Sequence, residues 1–180
     1  MKKRISQKNN ILSDMKSCIK TMHLPVKKEL EEDDHVTVYS QNTIGILTMY
    51  VQATFFKKHN LSGICIRFSH GAPEDRVRRL YGAINQLNSM LMDIGCFCID
   101  PVNGELFIRA SFPVPGGRID KTQLMRTLIR LMCQGCRGFE PIARAVVENI
   151  PFDDIMQELL AGMPGRDAGT AYSINKVNLN

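Results

Sequence analysis

Four of the six cysteines stand in two close pairs, and paired thiolates are ligands that zinc prefers. Cys96 and Cys98 lie in the segment CFC, and Cys133 and Cys136 lie in the segment CQGC. If Cys96 and Cys98 lie in a strand, their side chains point to the same face, about 6.5 Å apart along the strand. If Cys133 and Cys136 lie in a helix, their side chains point about 60° apart around the helix axis. Zinc-binding pairs usually sit on turns instead. We therefore expect no metal site and interpret these cysteines as small buried side chains.

A sensing role for the same cysteines is an alternative. A thioredoxin-type redox pair needs a helix N-terminus to lower the pKa of its thiol, whereas CQGC falls in the middle of a helical pattern. A metal- or redox-sensing protein that uses Cys96, Cys98, Cys133 and Cys136 stays open as a second interpretation, and counting the free thiols would test it.

The histidines and carboxylates form no catalytic pattern. None of the four histidines stands at ligand or triad spacing from a cysteine or a carboxylate. No two of the available carboxylates share a helix face or a strand face beside a histidine; these are Glu74, Asp75, Asp93, Asp100 and Glu105. We therefore expect no catalytic residue, no cofactor and no enzymatic activity, and an enzyme with an unrecognised dispersed site remains the alternative.

Three arginines form a stripe on the last long helix of the sequence. Arg126, Arg130 and Arg137 fall within about 40° of one another, opposite an apolar arc. The stripe is interpreted either as a solvated polar face or as a docking surface for an acidic protein. Nucleic acid is not an expected partner, because the chain has no Trp and only four Tyr to stack on bases.

The compartment follows from the cysteines and from the apolar segments. Disulfide frameworks are typical of short secreted chains, and the segment MKKRISQKNN lacks the apolar core of a signal peptide. No stretch approaches the ~18 apolar residues that a membrane span needs. We expect a cytoplasmic protein with reduced thiols and no membrane partner.

The elements that must position these residues indicate an α+β fold. Apolar residues at helical spacing begin at Ile11, three short alternating strands follow, and a second helix begins after Pro73. The sequence Asn103-Gly104 predicts a hairpin. The residues at 31–34 are interpreted as a charged connector, and those at 40–43 as a polar break.

The last long helix is capped by Asp120 and is interrupted or kinked at Pro141, and a short helix follows Pro151. The expected order is α-β-β-β-α-β-β-α, an antiparallel sheet covered by helices. The 180 residues fit one domain over 11–162, with a flexible basic tail at 1–10 and a flexible tail at 163–180.

Asn88 is the one polar residue at the centre of the apolar stripe of the second helix. A buried amide without hydrogen-bond partners costs about 1 to 3 kcal/mol, so we predict that Asn88 bonds backbone groups at a sheet edge or bend. Its role is structural, and Asn88→Leu should alter stability or register without removing any chemistry.

Several segments between about Ser62 and Leu160 carry a resemblance. These are RFSHGAPEDR, LYGAINQLN, CFCIDPVNGELFIRASFPVP, IDKTQLMRTLIRLMCQGCRGFEPIARAV and NIPFDDIMQELLAG. Together they resemble the YbjN-like family of sensory transduction regulators, whose fold is similar to that of type III secretion chaperones. Those chaperones are dimers that hold extended partner segments, and they are usually acidic, whereas this chain has a net charge of +5.

The sequence therefore predicts a non-enzymatic protein-binding module, chaperone-like or a regulatory adaptor. Its partner is another protein, taken as an extended segment on a sheet face or strand edge. We expect a homodimer that uses either the second helix or the hairpin strands. Some of the ten methionines could supply adaptable apolar surface; those considered are Met22, Met49, Met90, Met92, Met125 and Met132.

Overall fold

A computed structural model of the chain describes residues 2–44, 47–148 and 150–161. The helices are α1 (Lys2–Thr21), α2 (Glu74–Met90), α3 (Lys121–Val147) and α4 (Phe152–Ala161). The strands are β1 (Val26–Glu31), β2 (His35–Ile44), β3 (Leu47–Phe56), β4 (Leu61–Gly71), β5 (Cys96–Ile99) and β6 (Glu105–Pro113). The predicted α+β class is confirmed, with one strand more than the sequence indicated.

The six strands form one antiparallel sheet in the order β1-β2-β3-β4-β6-β5. Alternate side chains of the strands are buried, and this side of the sheet is called the inner face. One row of directly opposed inner residues runs across four strands: Val51, Ile66, Ile108 and Phe97. This apolar row is the centre of the core.

Helix α3 approaches the inner face closely at two glycines. A Cβ atom on Gly135 would lie 2.7 Å from Cδ1 of Ile108, and a Cβ atom on Gly138 would lie 2.5 Å from Cε2 of Phe97. Protein cores are packed densely enough that such a methyl group could not be added without a shift. The two glycines therefore set the distance between α3 and the sheet.

The structure corrects two strand predictions. Residues 26–31 form β1, a strand that was not predicted, while residues 32–34 of the predicted connector do join two strands. Residues 40–43, predicted as a polar break, belong to β2. β1 is an edge strand whose charged side chains reach solvent, so it shows no apolar alternation. Ser40 is buried in β2 because its hydroxyl donates a 2.8 Å hydrogen bond to the carbonyl of Pro25.

Two helix boundaries also differ from the prediction. α1 begins at Lys2, so residues 2–10 are helical where a tail was expected; this segment contains no Gly or Pro and has several good helix formers. α3 is not interrupted at Pro141 and continues to Val147. A proline inside a helix removes one backbone hydrogen bond and crowds the preceding turn, which can kink a helix without ending it. The alternative of a kink at Pro141 stays a prediction. The helix predicted after Pro151 is α4. The tail predicted at 163–180 lies outside the described residues.

The chain groups into two compact units, the first ending at Phe139 and the second beginning at Glu140. In the second unit, Nε of Arg144 lies 3.4 Å from Oε2 of Glu148, and Ile155 and Met156 of α4 are buried. The single domain predicted over 11–162 stays a prediction.

Candidate functional site

The strand side chains that point away from the inner face form the outer face of the sheet. Two neighbouring rows of opposed residues cross β3, β4, β6 and β5 on this face. The first, the Tyr50 row, is Tyr50, Arg67, Phe107 and Cys98; the second, the Gln52 row, is Gln52, Cys65, Arg109 and Cys96. Only the strand register reveals these rows, because their members are distant in sequence.

The Tyr50 row contains an exposed aromatic side chain beside a fixed cation. Tyr50 is 44% exposed. Nη1 of Arg67 donates to Oε2 of Glu105 at 2.7 Å, and its guanidinium carbon lies 5.3 Å from the ring centroid of Phe107. The ion pair and the cation–π contact together hold Arg67 flat against the sheet.

The Gln52 row places Arg109 between two thiols, those of Cys65 and Cys96. A hydrogen bond with the Cys96 side chain, together with the neighbouring thiols, raises the pKa of the Arg109 guanidinium. Arg109 is exposed and has no ion pair among the described residues. The row therefore presents, near the middle of the outer face, a cation that no described carboxylate pairs with.

Two thiols on the outer face, those of Cys65 and Cys98, have raised pKa values because they are partly removed from water. Burial is the largest cause for Cys65. Burial, followed by the hydrogen bond with Cys96, raises the pKa of Cys98 to about 11. The Sγ atoms of Cys96 and Cys98 lie 3.6 Å apart. Both thiols of this pair are half-buried and are free cysteines.

The structure does not bring the four cysteines of the sensing interpretation together. Cys133 and Cys136 lie on α3, and Sγ of Cys136 lies 4.0 Å from Sδ of Met49, which belongs to the inner face. The sheet therefore separates this pair from Cys96 and Cys98 on the outer face. All six cysteines are free.

The predicted arginine stripe is exposed on α3. Arg130 forms an ion pair with Asp93, and Asp93 also accepts a hydrogen bond from Gln134, so Arg130 ties α3 to the loop before β5. Arg126 and Arg137 form no ion pair with any residue that the structure describes. A docking role for the stripe stays a prediction.

The predicted hydrogen bonding of Asn88 to a sheet edge is confirmed. Its Nδ2 donates to the carbonyl of Phe97 at 3.0 Å, and the Phe97 amide donates to its Oδ1 at 2.6 Å. β5 is the outermost strand, so one side chain occupies both backbone groups of Phe97 that a further strand would use. Asn88 is half-buried rather than fully buried.

Three of the five carboxylates considered for catalysis are engaged in a turn or an ion pair. Asp100 accepts a hydrogen bond from the Val102 amide at 2.8 Å within the hairpin turn, and Glu105 holds Arg67. Asp93 is paired with Arg130, as described above. The side chains of Glu74 and Asp75 lie outside the described residues. The described carboxylates thus stabilise turns and ion pairs.

One cluster that sequence reasoning missed lies at the turn between β1 and β2. Ligand atoms of Glu32, Asp34 and His35 lie within 4.8 Å of one another, the only such group among the described residues. Nδ1 of His35 lies 2.7 Å from Oδ1 of Asp34, and this hydrogen bond lowers the pKa of Asp34. The segment EEDDH contains all three residues, but the sequence interpretation treated it as a charged connector and did not consider it as a group of metal ligands. Glu32 and Asp34 are exposed and His35 is half-buried, and Nζ of Lys57 donates a hydrogen bond to the Glu32 carbonyl beside them.

Five of the six methionines considered as adaptable surface are half-buried, and Met49 is fully buried. Met49 is therefore core. The half-buried ones are Met22, Met90, Met92, Met125 and Met132.

Comparisons with protein-family models, curated proteins and solved structures give no match for this chain. The resemblance to the YbjN-like family is therefore neither supported nor contradicted by them. Among the helices that the structure describes, none is both long and apolar enough to cross a membrane.

Proposed function

We propose that this chain is a non-enzymatic protein-binding module, chaperone-like or a regulatory adaptor, that receives an extended segment of another protein on its outer face. The observation that carries the proposal is the pair of exposed aromatic residues on that face, Tyr50 at 44% and Phe56 at 38%. Large exposed aromatic side chains on a rigid element are typical of protein-binding surfaces. The resemblance to chaperones that hold extended segments agrees with this role.

Neither edge of the sheet is well suited to pairing with a further strand, which favours the outer face as the binding surface. Asn88 already occupies the Phe97 backbone groups at the β5 edge. At the other edge, β1 carries the exposed charged residues Lys27, Lys28 and Glu29, and charges on an edge strand hinder pairing with another strand. A partner segment is therefore expected to contact side chains of the outer face.

The charge of the outer face favours an acidic partner segment. Arg109 has no ion pair in the described part of the chain, and the whole chain carries +5. Complementary charge speeds association and fixes orientation. The proposal includes a reducing, cytoplasmic setting, which the free cysteines support.

Two matched tyrosines test the proposed surface. Tyr50 on β3 and Tyr81 on α2 are 44% and 43% exposed, so Tyr50→Ser and Tyr81→Ser remove the same atoms from equally exposed positions. After affinity purification from the native host identifies a stoichiometric partner, Tyr50→Ser should weaken its binding at least about 10-fold. Tyr81→Ser should bind it with the parent's affinity per chain, whether the variant is dimeric or monomeric, because the outer face belongs to a single chain. Isothermal titration measures both.

A third variant separates the outer face from the arginine stripe. The double variant Arg126→Glu, Arg137→Glu reverses two exposed charges on α3 and leaves the sheet unchanged. If this variant no longer binds the partner while Tyr50→Ser binds it normally, the outer face is not the binding surface and the partner binds the arginine stripe of α3. A chain that retains no protein at all would contradict the binding role itself.

The proposal also includes a homodimer, formed through α2 or through the β5–β6 hairpin. The largest exposed apolar residues there are Tyr81 on α2 and Val102, 87% exposed, at the hairpin turn. Light scattering should give a dimer mass for the parent and a monomer mass for either Tyr81→Ser or Val102→Ser. A monomer mass for the parent would contradict the proposed dimer. A dimer mass for both Tyr81→Ser and Val102→Ser would exclude both of these residues as the dimer contact.

A further inference from the structure

Cys96 and Cys98 form a pair of soft ligands that is already assembled. They alternate with Phe97 on the edge strand β5, so both thiols point to the outer face. Their Sγ atoms lie 3.6 Å apart, and both residues are half-buried rather than enclosed. We propose that these two thiols chelate a thiophilic d10 cation of the Zn²⁺ type, with further coordination positions left for water or another ligand. The proposal does not rest on partner binding.

The distance between the sulfur atoms fits a bent chelate. Zinc–sulfur bonds of ~2.3 Å at a tetrahedral angle separate two sulfurs by about 3.8 Å, close to the observed 3.6 Å. A linear arrangement of the same bonds would need about 4.6 Å. The pair therefore matches tetrahedral coordination, in which two positions come from outside the strand.

A disulfide fits the same two residues poorly. Residues i and i+2 of a strand have Cα atoms about 6.6 Å apart, at the upper end of the disulfide range, and the bond needs Cβ atoms about 4 Å apart. Cys96 and Cys98 are held in strand geometry by pairing with Arg109 and Phe107 on β6. Oxidation would have to bend the strand, whereas chelation would leave it in place.

The residues opposite this pair leave its two sulfur atoms as the protein ligands. Arg109 lies directly opposite Cys96 on β6. Cys65 stands on the far side of Arg109 in the Gln52 row, so it is not a third ligand in this arrangement.

Zinc titration of the reduced chain tests the site. We expect one equivalent of Zn²⁺ to bind in competition with a chromophoric chelator, and Co²⁺ to give a thiolate-to-cobalt absorption. Cys96→Ser and Cys98→Ser should each lower the zinc affinity at least about 100-fold. Removing a metal ligand costs more affinity than removing a residue that only hydrogen-bonds to a ligand. The double variant Cys133→Ser, Cys136→Ser is the matched control and should bind as the parent does, as should Cys65→Ser.

Alkylation of the parent chain gives a second measurement that needs no variant. Zn²⁺ should protect Cys96 and Cys98 from iodoacetamide, as mapped by mass spectrometry, and should leave Cys133 reactive. Binding that survives both single variants, binding lost in the Cys133, Cys136 control, or a parent chain that binds no zinc would each overturn the proposal.

Discussion

Replacing Gly104 with alanine is expected to lower the free energy of unfolding by about 3 to 5 kcal/mol. Gly104 lies in the hairpin turn between β5 and β6 with φ at +68°, a left-handed conformation that costs other residues energy. A Cβ atom there would collide with the carbonyl oxygen of Ala72, which is backbone and cannot rotate away. The change would also break the 2.8 Å hydrogen bond from the Ala72 amide to the Gly104 carbonyl.

This contact joins the hairpin turn to the segment between β4 and α2. Loss of this hydrogen bond should therefore destabilise more than the turn, because the segment that contains Ala72 sets where α2 begins. Urea unfolding followed by circular dichroism measures the change, and the urea dependence should keep its slope if the native state remains compact.

Gly116 provides the matched control. Its φ is +65°, but a Cβ atom on it would meet nothing within 4 Å. Gly116→Ala therefore carries only the cost of the left-handed backbone, about 1 to 2 kcal/mol. Equal losses in the two variants would contradict the steric explanation and leave the backbone conformation as the whole effect.

The features that the sequence predicted well are those with local causes. Asp120 caps α3 as predicted, accepting from the Thr122 amide at 2.8 Å and the Gln123 amide at 3.2 Å. The Asn103-Gly104 hairpin also forms. Caps and turns depend on residues within a few positions of one another, so their chemistry is visible in a short window.

The candidate surface could not be predicted, because it depends on strand register. Tyr50 lies beside Arg67 and Arg109 lies beside Cys96 only once β3, β4, β6 and β5 are paired. Periodicity shows which residues share a face of one strand, but it does not show which strand is adjacent. β1 was missed for a related reason, since a solvated edge strand has no apolar alternation.

Replacing Asn88 with leucine is expected to lower the free energy of unfolding by about 2 to 3 kcal/mol. Leucine has a similar size and fits the apolar stripe, but it cannot bond the amide or the carbonyl of Phe97. The amide and the carbonyl of Phe97 would then be partly buried without a hydrogen-bond partner. Thermal unfolding measures the change, and Ser89→Ala, at the next and exposed position of α2, should stay within about 0.5 kcal/mol of the parent.

The same variant should also change self-association, because Asn88 covers an edge of the sheet. With the Phe97 groups free, the β5 edge becomes a template for pairing with another chain. Light scattering of Asn88→Leu should show species larger than those of the parent at equal concentration, whereas Ser89→Ala should not. A variant that melts and associates as the parent does would mean that water satisfies Phe97 equally well. The β5 edge would then be available to a partner strand, and only the exposed aromatic residues and the charged β1 edge would still favour the outer face as the binding surface.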